Sequence, residues 1–149
     1  MRIAVGSDGG SFAYKKQIIE HLRTKENVEV IDGGVYDDKP SFYADTAEEV
    51  GLMITEGKAE RGILICGGGN GMLIAANKIP GIRATMAFDS KALEKSVASS
   101  ACQIIVFGSA ITGIERACEL IDEWITYEYP KELSEHVRKV IELERKYGR

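Results

Sequence analysis

No run of apolar residues in this chain approaches the roughly 20 that a membrane-spanning helix needs. The opening residues, Met1-Arg2-Ile3-Ala4-Val5-Gly6, enter a strand directly and offer no apolar core for a signal peptide. Cysteine is scarce. Cys66, Cys102 and Cys118 stand too far apart for a disulfide framework or a zinc-ligand pattern, which predicts a reducing cytoplasm. Histidine is scarcer still: only His21 and His136 occur, and neither follows a cysteine closely enough to argue a protease-type pair. His21 falls on the outer part of an early helix, where it is expected to face solvent. No basic stripe or polybasic cluster exists, because the formal charge of −4 is spread over 149 residues with both signs mixed. Nucleic acid and membrane surfaces are therefore not expected partners. Internal repeats, linkers and low-complexity stretches are also absent, which leaves one domain over residues 1–149 with a small-molecule partner.

What the chain does have is glycine, concentrated where it matters. Arg61 to Lys78 opens with the apolar run Gly62 to Ile65, too short for a helix and apolar enough for a buried strand. Cys66 follows, then Gly67, Gly68, Gly69, Asn70 and Gly71, and a helix resumes from Met72 to Lys78. Glycines at a strand end let the backbone turn sharply and bring N–H groups close to a ligand, while the helix directs its positive end at the same place. An anion would be held there, and a Cys66 thiolate would be favoured.

Around this stretch strands and helices alternate. Strands are predicted at Ile3–Gly6, Val28–Ile31, Gly62–Ile65, Arg83–Ala87 and Ile104–Phe107. Helices are predicted over Phe12–Arg23, with Phe12, Ile18, Ile19 and Leu22 inward and Lys15, Lys16 and Glu20 in water, and over Asp45–Glu56, Ser90–Ala98, Gly113–Tyr127 and Glu132–Tyr147. The long aromatic loop from Val35 to Tyr43 is placed to cover a site. Five strands alternating with helices predict an α/β fold, a parallel Rossmann-like or flavodoxin-like sheet with helices on both faces. Ligands in such folds bind beyond the carboxyl ends of the strands, where Asp8, Cys66, Asp89 and Ser109 would gather. The last helix has no further strand to cover, so its narrow apolar stripe predicts packing on a partner subunit and a homodimer.

Familiar glycine-loop chemistries fail on spacing. A cysteine phosphatase needs Arg six residues after its Cys and a Walker loop needs Lys after its last glycine; Met72 occupies both positions. The glycine spacing is also wrong for a dinucleotide fingerprint. A thiolate beside fixed N–H donors suits removal of a proton from a carbon next to a carbonyl, with the amides holding the enediolate oxygen.

These residues carry a resemblance. Ile3-Ala-Val-Gly-Ser-Asp8, Val30-Ile-Asp-Gly33, Gly62-Ile-Leu-Ile-Cys-Gly67, Gly69-x-Gly71-Met72 and the more specific Ile74-Ala-Ala-Asn-Lys-Ile-Pro-Gly-Ile-Arg-Ala84 resemble the ribose-5-phosphate isomerase B and galactose-6-phosphate isomerase family over essentially the whole chain. The resemblance implies a metal-free enzyme without cofactor that acts on a sugar phosphate as a homodimer or dimer of dimers, with sites at the subunit boundary. It puts Cys66 on the proton-transferring base and the amides of Gly67 to Gly71 on the anion hole. Asp8, here counted with the catalytic groups, and Tyr43 fall on substrate-contacting positions, and His136 and Lys139 on a phosphate-binding helix.

The chain departs from that family pattern at several of these places. Gly9 stands where a substrate-holding His is usual, and Gly68 where the loop often has Thr. Ser99-Ser100 replace the His-Asn pair that assists ring opening, while Ala110 and Glu135 replace two phosphate-binding arginines. A Glu that serves as base in one branch is absent, since Met72 holds its position. Ring-opening groups and phosphate clamps are lost while the proton-transfer loop stays. That selects either a short, non-cyclising substrate such as a tetrose 4-phosphate, or a weaker phosphate requirement; a catalytically silent sugar-phosphate binder of the same fold is the rival.

Overall fold

The computed structural model describes residues 1–148. The sheet is built of β1 (Arg2–Ser7), β2 (Glu29–Asp32), β3 (Arg61–Cys66), β4 (Ala84–Met86) and β5 (Ile104–Gly108), all parallel, in the order β2-β1-β3-β5-β4. The first three strands follow flavodoxin-like order. The last two are exchanged, so that β5 lies inside and the short β4 forms an edge. The apolar content explains it: Ile104 to Phe107 are wholly buried, whereas Ala84 to Met86 are only half-buried.

Helices α1 (Phe12–Arg23), α2 (Tyr43–Thr55), α3 (Asn70–Ala76), α4 (Ser90–Ala98), α5 (Ile114–Trp124) and α6 (Glu135–Tyr147) surround the sheet. Alternation along the strands splits the core in two. On one face Ile3, Val5, Ile63, Ile65, Ile105 and Phe107 meet Ile18 and Leu22 of α1, Leu93 and Val97 of α4, and Leu120 and Trp124 of α5. On the other, Leu64, Cys66, Ile104 and Val106 meet Val50 of α2 and Met72 and Ala76 of α3. Cys66 thus belongs to the same face as Leu64 and looks toward α2 and α3.

Several expectations are corrected. Lys15 does not face water: its side chain is fully buried, with Nζ 2.5 Å from Asp32 Oδ1, 2.8 Å from the Gly34 carbonyl and 2.6 Å from that of Val35. It can sit inside because three acceptors satisfy the ammonium. His21 is half-buried rather than free in solvent, since Nε2 lies 2.7 Å from Asp122 of α5. Helix α5 stops three residues early, at Trp124, where the buried Arg61 guanidinium takes the Trp124 and Tyr127 carbonyls. Helix α6 starts at Glu135 rather than Glu132, because Ser134 caps it through the Val137 amide. Only Val137 of α6 is buried, and Val140, Leu143 and Tyr147 remain exposed. No helix among the described residues is long and apolar enough to cross a membrane.

Candidate active site

Parallel strands bring their carboxyl ends to one edge, and there β1, β3 and β5 are held in tight register: Ser7 beside Ile65, and Cys66 beside Gly108. The chain leaving each strand is tied to its neighbour. Asp8 donates its amide to the Ile65 carbonyl (3.1 Å), Ser109 to that of Cys66 (2.9 Å) and Ala110 to that of Gly67 (3.0 Å). The glycine loop emerges between these ties.

Within the loop, Gly69 adopts φ +83°, a left-handed conformation open to glycine at no steric cost, and this turns its N–H onto the Cys66 sulfur at 3.2 Å. The thiol itself is 5 % exposed. Gly67 and Gly68 lie open, with no atom within 4 Å of where a side chain would begin. Helix α3 begins at Asn70, two residues earlier than the apolar pattern suggests, and Asn70 is exposed. Tyr43, the first residue of α2, lies against the loop: a β-carbon on Gly71 would stand 2.8 Å from its ring.

Asp8 is at the same edge, where its carboxylate Oδ1 accepts the Ser11 amide at 2.9 Å. Its geometry is that of a capping residue, leaving Oδ2 for other partners. The Ser11 and Ser109 hydroxyls join across the edge at 2.9 Å, and Tyr14 Oη donates to the Thr112 carbonyl at 2.9 Å. Burial, with Cys118 and Glu115 nearby, pushes Tyr14 up to about 12, so it stays a neutral donor at pH 7. Of the other thiols, burial pushes Cys102 up to about 11 and raises Cys118 as well, so both are held in the inert protonated form at neutral pH.

The remaining sequence-derived candidates lie elsewhere. Helices return antiparallel to the strands, so Ser99 and Ser100, just past the end of α4, sit at the amino edge of the sheet. With His136, Val137 and Val140 of α6 they line a cavity of about 250 Å³ that also touches Arg83 and Cys102. Five residues of β5, each rising about 3.3 Å, separate that edge from Cys66. Lys139 is exposed and paired with Glu142 at 2.8 Å. The single chain therefore groups Asp8, Tyr43, Cys66 and Gly67 to Gly71, and holds Ser99, Ser100 and His136 as a second group a strand's length away.

Sequence reading missed the partners of Gly9. Its amide donates to Ser41 Oγ at 2.9 Å, and any β-carbon there would collide with the Lys39 carbonyl. Nothing in the spacing of residues 35–42 signals the Gly9–Ser41 bond; the length and aromatic content of the loop signal only that it covers a site. Among the described residues no three His, Cys, Asp or Glu side chains gather as a metal ion would require.

A doubly wound α/β domain whose third strand delivers a thiol into a glycine loop is also what the known relatives of this chain share by likeness of sequence and fold, and those relatives are isomerases by name. The Ribose/Galactose Isomerase family matches residues 3–143, and the chain belongs to that family. The ribose-5-P isomerase B of Listeria innocua is 37 % identical over 129 residues, covering 87 % of this chain and 86 % of its own. The D-erythrulose-4-phosphate isomerase 2 of Mycolicibacterium smegmatis is 36 % identical over 133 residues, covering 87 % and 86 %. Among solved structures, ribose-5-phosphate isomerase B of Clostridium thermocellum superposes with a TM-score of 0.93 at 34 % identity, over 99 % of this chain and all of the other. The protein is an aldose–ketose isomerase.

Proposed function

We propose that the protein interconverts an aldose phosphate and its ketose by moving one proton between adjacent carbons of the open chain, with Cys66 as the base. The observation that carries the proposal is the Gly69 N–H aimed at Cys66 Sγ from 3.2 Å, in the same loop as the open Gly67-Gly68 segment. The Cys66 thiolate takes the proton from C2 of the aldose, and the C–H electron pair forms the C1–C2 double bond of an enediolate. Negative charge moves to O1, where amides between Gly67 and Gly71 hold it; the O2 hydroxyl proton passes to O1, and as the charge left on O2 collapses to the C2 carbonyl the double-bond pair takes the proton back from the Cys66 thiol at C1, giving the ketose. Asp8 and Tyr43 flank the loop as substrate contacts, with Oδ2 of Asp8 free to meet a hydroxyl.

Two relatives bear the names of a five-carbon and a four-carbon substrate at nearly equal identity, so similarity alone does not choose between them. The residues favour the shorter sugar. Ser99-Ser100 supply no ring-opening imidazole, and a tetrose 4-phosphate has no free hydroxyl placed to close a stable ring. The second residue group completes the site only from another protomer, so the working unit is a homodimer or a dimer of dimers, in the cytoplasm, with the whole chain as one catalytic domain.

Solvent exchange tests this reading. Incubated in heavy water with tetrose and pentose 4- and 5-phosphates, a working isomerase incorporates deuterium at the transferred position. Substrate binding without deuterium uptake would instead identify a sugar-phosphate binding protein that has kept the fold alone.

A further inference from the structure

The segment between β2 and α2 is fastened at both ends. At its root, Gly33 donates to the Val5 carbonyl at 2.8 Å, and the buried Lys15 ammonium gathers Asp32, Gly34 and Val35. Val35 has φ +57°, a conformation that costs a β-branched residue and persists only where its surroundings impose it; here its own carbonyl is held by Lys15 at 2.6 Å. The Tyr36 ring lies over the same ammonium, 5.3 Å from its centroid. At the far end, Ser41 takes the Gly9 amide at 2.9 Å, and the Lys39 carbonyl fills the space that a side chain at position 9 would need. Gly9 follows Asp8, whose amide is bonded to the residue before Cys66.

From this geometry we infer that residues 35–42 are a fixed wall on the β1 side of the site, which limits the carbon-chain length of the acyclic sugar phosphate the enzyme accepts, with Gly9 and Ser41 as its positioning residues. The inference rests on the isomerase reading for the identity of the ligand. The wall is main chain, not a movable side chain, because Lys39 presents its carbonyl to Gly9 while its ammonium is turned away to Asp37 at 2.8 Å. A ligand that outgrows the site meets a segment tied at its root by the Lys15 ammonium, through Asp32 and the Gly34 and Val35 carbonyls, and at its far end by the Gly9 amide on Ser41 Oγ. Length is therefore selected by exclusion rather than by lost affinity for a particular hydroxyl.

The test uses the full chain with four-carbon and five-carbon aldonic acid phosphates, acyclic probes that cannot isomerise, titrated by calorimetry into the wild type, Ser41→Ala and Gly9→Ala. Hydrogen exchange over residues 35–42 is followed in parallel. The wild type should bind the four-carbon probe about tenfold more tightly, equal to about 1.4 kcal/mol. In both variants the amides of 35–42 should exchange faster, and the preference should shrink through tighter binding of the five-carbon probe. Ser41→Ala removes one exposed hydroxyl and keeps the test valid if Gly9→Ala fails to fold. Faster exchange with an unchanged preference would overturn the inference, as would unchanged exchange in Ser41→Ala, or a wild type that binds both probes equally or neither. Discrimination between the probes without turnover of either sugar phosphate would leave the wall standing and remove the isomerase reading.

Discussion

The Gly69 amide points at the Cys66 sulfur from 3.2 Å, three residues along the same chain, so the group that would accept a proton and a donor that would hold its charge are set by one turn. If Cys66 is the base, Cys66→Ala should lower turnover by about 10²–10⁴-fold, the usual contribution of a positioned base. Binding of an acyclic aldonate phosphate should be almost unchanged. Progress curves paired with calorimetry check this, and full activity in the variant would exclude the mechanism.

Tyr43 and Gly71 form a second such pairing. A methyl group at Gly71 would lie 2.8 to 3.1 Å from three carbons of the Tyr43 ring, closer than carbon atoms approach without displacement. Tyr43 is 45 % exposed and its ring has room to swing, so Gly71→Ala should alter melting temperature little. It should raise KM several-fold, on the order of 1 kcal/mol of lost positioning. In a Tyr43→Ala background the same substitution should have a smaller effect; additivity of the two would show that the ring does not mediate it.

How far these pairings could be foreseen depends on their range along the chain. Apolar runs and helical spacing located the five strands and six α-helices, because Ile63 to Ile65 bury themselves as a continuous run and Leu120, Ile121 and Trp124 through their spacing. Cys66 at a strand end before glycines was equally legible. The exchange of β4 and β5 was not, since strand order is decided by relative burial across the sheet rather than within either segment. Lys15 reads as a surface lysine until Asp32 and two carbonyls from the next crossover arrive beside it. Ser99 and Ser100 look adjacent to the site in a family comparison, yet α4 carries them to the far edge of their own protomer.

Removing the Lys15 ammonium should be costly, because Asp32 and the Gly34 and Val35 carbonyls lose a shared partner at once. Lys15→Met keeps the buried stem and is expected to destabilise the fold by about 3 kcal/mol, as breaking one half of a buried pair does. Asp32→Asn in the same chain should recover part of that loss. Urea unfolding measures both; a cost below about 0.5 kcal/mol would mean that the pair is solvated, as surface ion pairs are.

His21, Lys25 and Asp122 clamp α1 to α5, with Asp122 accepting from His21 at 2.7 Å and Lys25 at 2.8 Å. Burial alone would raise the Asp122 carboxyl, but the hydrogen bonds and charges of Lys25 and His21 outweigh it and hold it below its usual value. A depressed folded-state value means the carboxylate stabilises the protein above its unfolded pKa, and that this is lost as pH falls through the lowered one. Asp122→Asn should therefore lower the melting temperature at pH 7, with the difference from wild type closing as pH falls through the lowered Asp122 value. A difference that stays constant into acid would show that packing, not charge, is lost.

Ser99 is exposed at the end of α4, so Ser99→His should be tolerated, and an imidazole there should favour substrates that must be opened from a ring. Pentose phosphate turnover should rise more than tetrose phosphate turnover; an equal rise in both would undo the short-substrate argument. Because position 99 and Cys66 occupy opposite edges of one chain, the proposed homodimer predicts that any gain passes between subunits. A chain carrying both Cys66→Ala and Ser99→His has no base of its own, yet mixed with wild type it should raise pentose turnover above that of wild type alone, by lending its imidazole to the intact Cys66 of its neighbour. Mixing after brief unfolding and refolding, against a control with the Cys66→Ala chain alone, decides it. No gain in the mixture, alongside a gain in the Ser99→His homo-oligomer, would place the imidazole's action within its own chain and rule out a shared site.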